Sequence, residues 1–260
     1  MGEDWRLVAD YHTHTYYSHG RGSIECNVRQ ALEKGLARIA LTDHGFSQPL
    51  MGMTGEKLLQ MRRIIDSLNR KYQGQIEILL GVEANVVSMD GRIDVPDKYL
   101  PLLDILAVGL HRMVLTTSQG YVWRVKWAMN ASTVFHSLRK KLARSCTEAL
   151  IASVQRYDVD VLTHPGYHYP VLMEPLAAAA AAAGTVIEIN SAHGLPHADA
   201  LRVALNRGVN FSIGSDAHSP ERVGDFALAM DLAKQAGIPP ERIVNSSVST
   251  VTLKRGRDAT

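Results

Sequence analysis

Six short apolar runs in this sequence each end in a side chain able to bind a metal ion. That pattern constrains the fold more than any other feature. His12 and His14 follow Leu7-Val8-Ala9, and Asp43-His44 follow Ile39-Ala40-Leu41-Thr42. Glu83 closes Ile78-Leu79-Leu80-Gly81-Val82, and His111 closes Ile105-Leu106-Ala107-Val108-Gly109-Leu110. His164 comes after Val159-Asp160-Val161-Leu162-Thr163, while Asp216 and His218 come after Phe211-Ser212-Ile213-Gly214-Ser215. A barrel of parallel strands whose carboxyl-end rim holds metal ions has this appearance. Core packing accounts for one such coincidence, not for six.

The rest of the composition is that of a globular chain. Of 260 residues, 46% are hydrophobic and 21% charged, enough for one large core, so a single barrel of about 250 residues fits without a second domain. A formal charge of +2 gives no warrant for a nucleic-acid surface. Eleven histidines are the oddity, and most fall at the strand ends named above. Cys26 and Cys146 stand far apart in helix-like surroundings, which suits reduced thiols in the cytoplasm rather than a disulfide or a CxxC metal site. The first residues carry no apolar leader segment, and no stretch reaches membrane-span length, so no membrane association is expected. The run Ala177 to Ala183 is a strong helix former that Gly184 should close.

Strand-like and helix-like segments alternate along the chain. The patterning predicts strands near 7–14, 38–42, 76–87, 104–109, 160–163, 185–189 and 210–214. Helices are predicted near 23–35, capped by Ser23, near 55–72, where Leu58, Met61, Ile64, Ile65 and Leu68 have helical spacing, and near 221–236. Asp90-Gly91 signals a hairpin turn. Seven repeats indicate a distorted (β/α)7 TIM-like barrel, one unit short of the usual eight. An open doubly wound sheet is the alternative, but it gathers ligands at one switch point rather than from nearly every strand. One unit is oversized, with an extended insert at about 113–157 that holds Tyr121, Trp123 and Trp127, then Arg139-Lys140-Lys141 and Arg144. It reads either as a long helix with a solvated basic face or as an arm bringing cations to an anionic substrate.

The candidate ligands are His12, His14, His19, His44, Glu83, His111, His164, Asp216 and His218. His12 and His14 lie two apart on a strand and so share a face, about 7 Å apart at Cα. Glu83 after an apolar strand needs cations if buried, either metals or an arginine. Nine ligands exceed the three or four that one zinc ion takes, so two to three divalent ions (Zn, Mn or Fe) are expected, with Glu83 and Asp216 shared. Water between such ions is acidified toward neutrality, which gives a metal-bound hydroxide as the nucleophile. Arg21, Arg112 and Arg222 lie one to four residues beyond a ligand and, with His168 after strand five, are candidates for substrate binding; a bland surface role is open for each arginine. His193 and His197 follow strand six, where loop polarity is the default reading and a substrate contact the alternative.

Taken in order, DYHTHT, SHG, LTDHG, GVEAN, GLH, THPG and GSDAH resemble the PHP family, named for polymerase and histidinol phosphatase domains, from about Asp10 to Asp225. The likeness is to its stand-alone hydrolases with a trinuclear centre. It implies a distorted (β/α)7 barrel, one PHP-type domain over 1–260, and a phosphoric ester hydrolase of the histidinol-phosphatase kind acting on a small phosphorylated substrate. Carried over, it puts His12 and His14 on one metal with Glu83 and Asp216. His19, His44 and His218 then hold a second, and His111 and His164 a third with Glu83 bridging. Glu83, Asp216 and His218 are the catalytic candidates. Many relatives have Asp where this chain has His19. An amidohydrolase-like hydrolase and a non-catalytic metal-binding accessory domain are the competing functions, and a homo-oligomer is left open.

Overall fold

A computed structural model describes residues 5–112, 114 and 136–255. Seven parallel strands follow one another in sequence order: β1 (Ala9–Asp10), β2 (Arg38–Leu41), β3 (Glu77–Asn85), β4 (Ile105–Gly109), β5 (Val161–Leu162), β6 (Val186–Asn190) and β7 (Phe211–Gly214). Between them run α1 (Ile24–Glu33), α2 (Gly55–Lys71), α3 (His136–Arg156), α4 (Met173–Ala183) and α5 (Ala198–Asn206), with α6 (Ala227–Ala236) last. This is the expected (β/α)7 TIM-like barrel.

Local chemistry accounts for the elements. Ser23 accepts a hydrogen bond from the Cys26 N–H and starts α1; Thr54 does the same for Lys57 and α2. In α2, Leu58, Met61, Ile65 and Leu68 form one buried stripe. Gly184, at φ +69°, ends the alanine helix α4 in the left-handed region that a Cβ disfavours. The strands obey the two-residue period of a pleat. Ile39, Leu41, Leu106, Val108, Leu162, Ile187 and Ile213 pack in the main core with the helices. The other parity, Ala9, Ala40, Ile105, Ala107, Val161 and Val186, forms a second, smaller cluster with Val244 and Leu253. Continuing that second parity past the strand ends leads to His44, His111, Asp216 and His218.

The barrel is closed by something other than a strand ladder. Beyond β1 and β7, Thr13 bridges Ala217, and the His14 N–H donates to the Ala217 carbonyl at 2.8 Å. At the opposite end the Asn245 side chain fills the seam. Its Nδ2 donates to the Ala9 and Ile213 carbonyls, both at 2.8 Å, and its Oδ1 accepts from the Ile213 N–H at 3.0 Å. Asp10, fully buried, reaches across the same seam and accepts from the backbone N–H groups of Ser215 and Gly224.

Two expected boundaries move. The first strand pairs as a ladder only at Ala9–Asp10; Leu7 bridges Ser246, and Thr13 bridges Ala217 while its hydroxyl donates to the Ala40 carbonyl of β2. The last helix starts at Ala227 rather than 221, after a 3-10 turn at Pro220–Arg222, because the Gly224 N–H is given to Asp10. Asp90-Gly91 makes the expected reversal, with Val86 bridging Ile93. Tyr121, Trp123 and Trp127 lie outside the described residues; Arg139, Lys140, Lys141 and Arg144 are exposed on α3. Both cysteines are free, and burial pushes the Cys146 thiol up to about 12. Among the described residues no helix is long and apolar enough to cross a membrane.

Replacing Asn245 with Ala should leave three buried backbone groups at the seam without partners. At about 1 kcal/mol per hydrogen bond, the variant is expected to lose about 3 kcal/mol in urea unfolding, whereas Ser249→Ala, whose hydroxyl bonds at the exposed surface, should change stability little.

Candidate metal centre and active site

At the carboxyl end of the barrel, imidazoles that follow β1, β2, β4 and β5 converge on one buried carboxylate in β3. Glu83 has no solvent exposure, and neither of its oxygens has a hydrogen-bond partner. Each faces a different set of imidazoles. Oε1 lies 2.7 Å from His164 Nε2 and 3.2 Å from His111 Nε2. Oε2 lies 3.0 Å from His44 Nδ1, 3.5 Å from His12 Nε2 and 3.7 Å from His14 Nε2. Asp216 forms a second node, with Oδ1 3.2 Å from His14 Nε2, 3.6 Å from His12 Nε2 and 3.5 Å from His218 Nδ1. His19 completes the cluster by ring contact, its centroid 4.2 Å from that of His218 and 4.7 Å from that of His44. All nine residues singled out as ligands are thus brought to one place.

The electrostatics suit cations. Burial raises the Glu83 carboxyl, but His111, His12 and His164 outweigh it and hold the group well below the usual range. Asp216 is likewise raised by burial and held well below its usual range by His12, His14 and His193. For His12, burial opposes charge, yet Glu188, Asp216 and Glu83 raise it well above the ordinary imidazole value. His14 goes the other way, lowered by burial and by His44. Burial, then His218 and His44, push His19 down to about 4, which leaves a neutral imidazole with a lone pair to offer.

Metal ions fit this set. His12, His14 and Asp216 can hold one ion, as can His14, His44 and His218, then His12, Glu83 and His164, then His44, Glu83 and His111. Within each group the ligand atoms lie within 4.8 Å of one another. The atoms left without hydrogen bonds include both Glu83 oxygens, His14 Nδ1, His44 Nδ1 and His111 Nε2, and a cation is the partner that all of them share.

A surrounding layer of polar side chains aims the ligands, and most of it has no mark in the sequence. Glu188, in β6, lies 2.6 Å from His12 Nδ1, which turns His12 Nε2 toward Glu83 and Asp216. Its other oxygen accepts from the His164 N–H at 2.8 Å. Asn85 Oδ1 lies 2.6 Å from His111 Nδ1, and Asp94 in turn accepts from the Asn85 N–H and side-chain amide. The Asp43 carbonyl accepts from the Glu83 N–H at 3.1 Å, but its carboxylate turns away, accepts from Thr15 and Ser18 and shapes the turn that carries His19. Glu188 was findable by the reasoning applied to Glu83, since an acid inside the run Val186–Asn190 needs a buried partner. His164 and Asp216 adopt φ of +27° and +52°, left-handed values that non-glycine residues seldom take.

A cavity of about 350 Å³ opens over the centre, lined by Glu83, Asp216 and five of the ligand histidines, with Gln48, Met51, Arg112, Tyr167, His168 and His193 around them. Arg112 and His168 therefore face the site. Arg21 and Arg222 do not line it: Arg21 is exposed, and Arg222 pairs with Asp225 at 3.2 Å on the surface. His193, whose default sequence reading was loop polarity, sits with Nε2 3.1 Å from Asp216 Oδ2 and stacks on Tyr167, while His197 is exposed.

The model of the PHP domain matches residues 10–192. The chain belongs to the PHP family. The match stops short of Asp216 and His218, which the barrel nonetheless returns to the same centre. Among relatives, a "probable phosphatase" of Caldanaerobacter subterraneus subsp. tengcongensis is 33% identical over 95% of this chain and 90% of its own length. A "probable phosphatase" of Shewanella sediminis is 30% identical over 96% of each chain. The fold also matches that of histidinol phosphate phosphatase from Lactococcus lactis, solved with zinc, L-histidinol and phosphate. That match has a TM-score of 0.63 at 18% identity and covers 90% of this PHP chain and 95% of the other.

The arrangement makes Gly214 part of the PHP site although it can bind nothing. A Cβ there would collide with Glu188 Oε1 and press on His12 Cβ. Gly214→Ala should therefore displace Glu188 and weaken metal binding by roughly tenfold or more, seen by equilibrium dialysis with elemental analysis, while far-UV circular dichroism stays unchanged.

Proposed function

We propose that this PHP protein, as one domain over 1–260, is a metal-dependent phosphatase that hydrolyses a small phosphate ester. The observation that carries the reading is Glu83, a buried carboxylate with no hydrogen bond whose two oxygens face separate imidazole sets. The names of the relatives, and the zinc and phosphate in the Lactococcus lactis enzyme, support it.

In this reading His12, His14 and Asp216 hold one ion, His19, His44 and His218 a second, and His111 and His164 a third, with Glu83 shared. Seven imidazoles and two carboxylates suit zinc, and equally iron or manganese. Bound there, two to three divalent ions would acidify a water molecule and neutralise charge on the phosphoryl oxygens. The chain's own residues do the positioning. Glu188 and Asn85 fix which nitrogens of His12 and His111 point inward. Asn190 donates to both Glu188 and Asp216 and so ties the two carboxylates together. His218 and Asp216 border the cavity that the ester would enter.

A direct displacement by water is expected, because neither cysteine borders the cavity, its described lining contains no serine or threonine, and its two carboxylates, Glu83 and Asp216, are enclosed by imidazoles and better placed as ligands than as phosphoryl acceptors. With a chiral thiophosphate in labelled water, the product should show inversion at phosphorus; net retention would mean a covalent phosphoryl-enzyme instead.

Elemental analysis of metal-replete protein is expected to give two to three equivalents per chain, and a reproducible value of one or less would overturn the multinuclear assignment. Glu83→Gln should lose metal and turnover together. Turnover is to be read on p-nitrophenyl phosphate, with a bis-ester and an amide alongside; cleavage of the amide alone would make the protein an amidohydrolase. Should Glu83 serve only a structural ion pair, its variant would keep full metal occupancy and lose stability.

A further inference from the structure

From the charges on the pocket wall we infer that the preferred ester carries a second anionic group on its leaving alcohol, bound by Arg112. The inference rests on the phosphatase reading and adds the substrate class.

The acidic side chains lining the cavity are Glu83 and Asp216, and both are enclosed by imidazoles. No other carboxylate lines it among the described residues. The intervening stretch 113–135 contains no Asp or Glu in its sequence, so it brings none. An ammonium on the leaving alcohol would enter a region that holds cations and offers no spare counter-charge, which is unfavourable wherever water is partly excluded. An aminoalcohol phosphate is therefore a poor fit.

Arg112 is the complement to that absence. It directly follows His111, borders the cavity, and forms no ion pair with any described residue. Tyr167, Gln48 and Met51, which line the same cavity, carry no charge that could pair with it. A guanidinium there presents a planar fork that fits a carboxylate or a phosphate with two parallel hydrogen bonds. At about 350 Å³ the cavity is at the small end for a small-molecule site. Because Arg112 directly follows His111, the second anion is expected only a few bonds from the ester.

The test uses three non-hydrolysable phosphonates that differ only in the tail: propylphosphonate, 3-phosphonopropionate and 3-aminopropylphosphonate. Each is titrated calorimetrically into the metal-loaded protein and into Arg112→Met, whose fold is checked by circular dichroism. The carboxylate tail is expected to bind about tenfold tighter than the neutral one, and the ammonium tail weaker than both. In Arg112→Met the carboxylate advantage should vanish while propylphosphonate stays within about twofold, as expected when the phosphonate head is bound elsewhere. Equal binding of all tails by the unaltered protein would overturn the inference and leave the phosphatase reading standing. So would an advantage that survives in Arg112→Met, which is metal chelation by the tail. A uniform loss for all three in that variant would show that Arg112 holds the phosphonate head. If none of the three binds, the phosphatase reading falls with the inference.

Discussion

A carboxylate shut away from water, with imidazole nitrogens alone set against its two oxygens, is the constraint around which this barrel is arranged. Leaving Glu83 ionised without compensation costs several kcal/mol, and what stands around it is a ring of imidazoles from β1, β2, β4 and β5. No single loop can surround a carboxylate in that way. Parallel strands can, because each ends at the same rim and each delivers one side chain inward. The metal centre and the barrel architecture are in this sense one requirement.

Because the first and last strands both supply candidate ligands, the seam between them is where the site is most exposed to error. His12 and His14 come from one side of it, Asp216 and His218 from the other. The Thr13–Ala217 bridge and the buried Asp10 hold the two sides in register close to the ligands, and Asn245 does so at the far end. Asp10 is raised by burial, and three backbone donors work against that shift. Two ligand residues, His164 and Asp216, also sit in left-handed backbone conformations. Glu188 holds the His164 N–H, and Asn190 and His193 hold the Asp216 carboxylate. The local cost, on the order of 1–3 kcal/mol each, is offset by surroundings that permit no other arrangement.

How legible all this was depends on the range of the interaction. The seven strands, the capped helices α1 and α2 and the glycine stop of α4 follow from spacing and local chemistry, so the sequence announces them. Eight of the nine candidate ligands stand out because chemistry and position coincide, a polar, metal-binding side chain at or just beyond the end of an apolar run; His19 is the exception, carried by the turn after His14. Where partners are distant the signal fades. The first strand seemed long because Leu7 and Thr13 are extended, but they pair with Ser246 and Ala217. The last helix seemed to start at 221 because nothing nearby shows that the Gly224 N–H belongs to Asp10.

The same distinction separates the two halves of the site. The sequence by itself determined the fold class and named the candidate ligands that the structure gathers at one place, since strand period and side-chain chemistry are local properties. Only the tertiary structure decided which carboxylate oxygen faces which imidazole, that Glu188 and Asn85 orient the ligands, and that Arg112 and His168 face the cavity while Arg21 and Arg222 do not. Those outcomes depend on where strands far apart in the chain come to rest once the barrel closes. Burial and Coulomb interaction act through space, and the order of residues along a chain does not record distance.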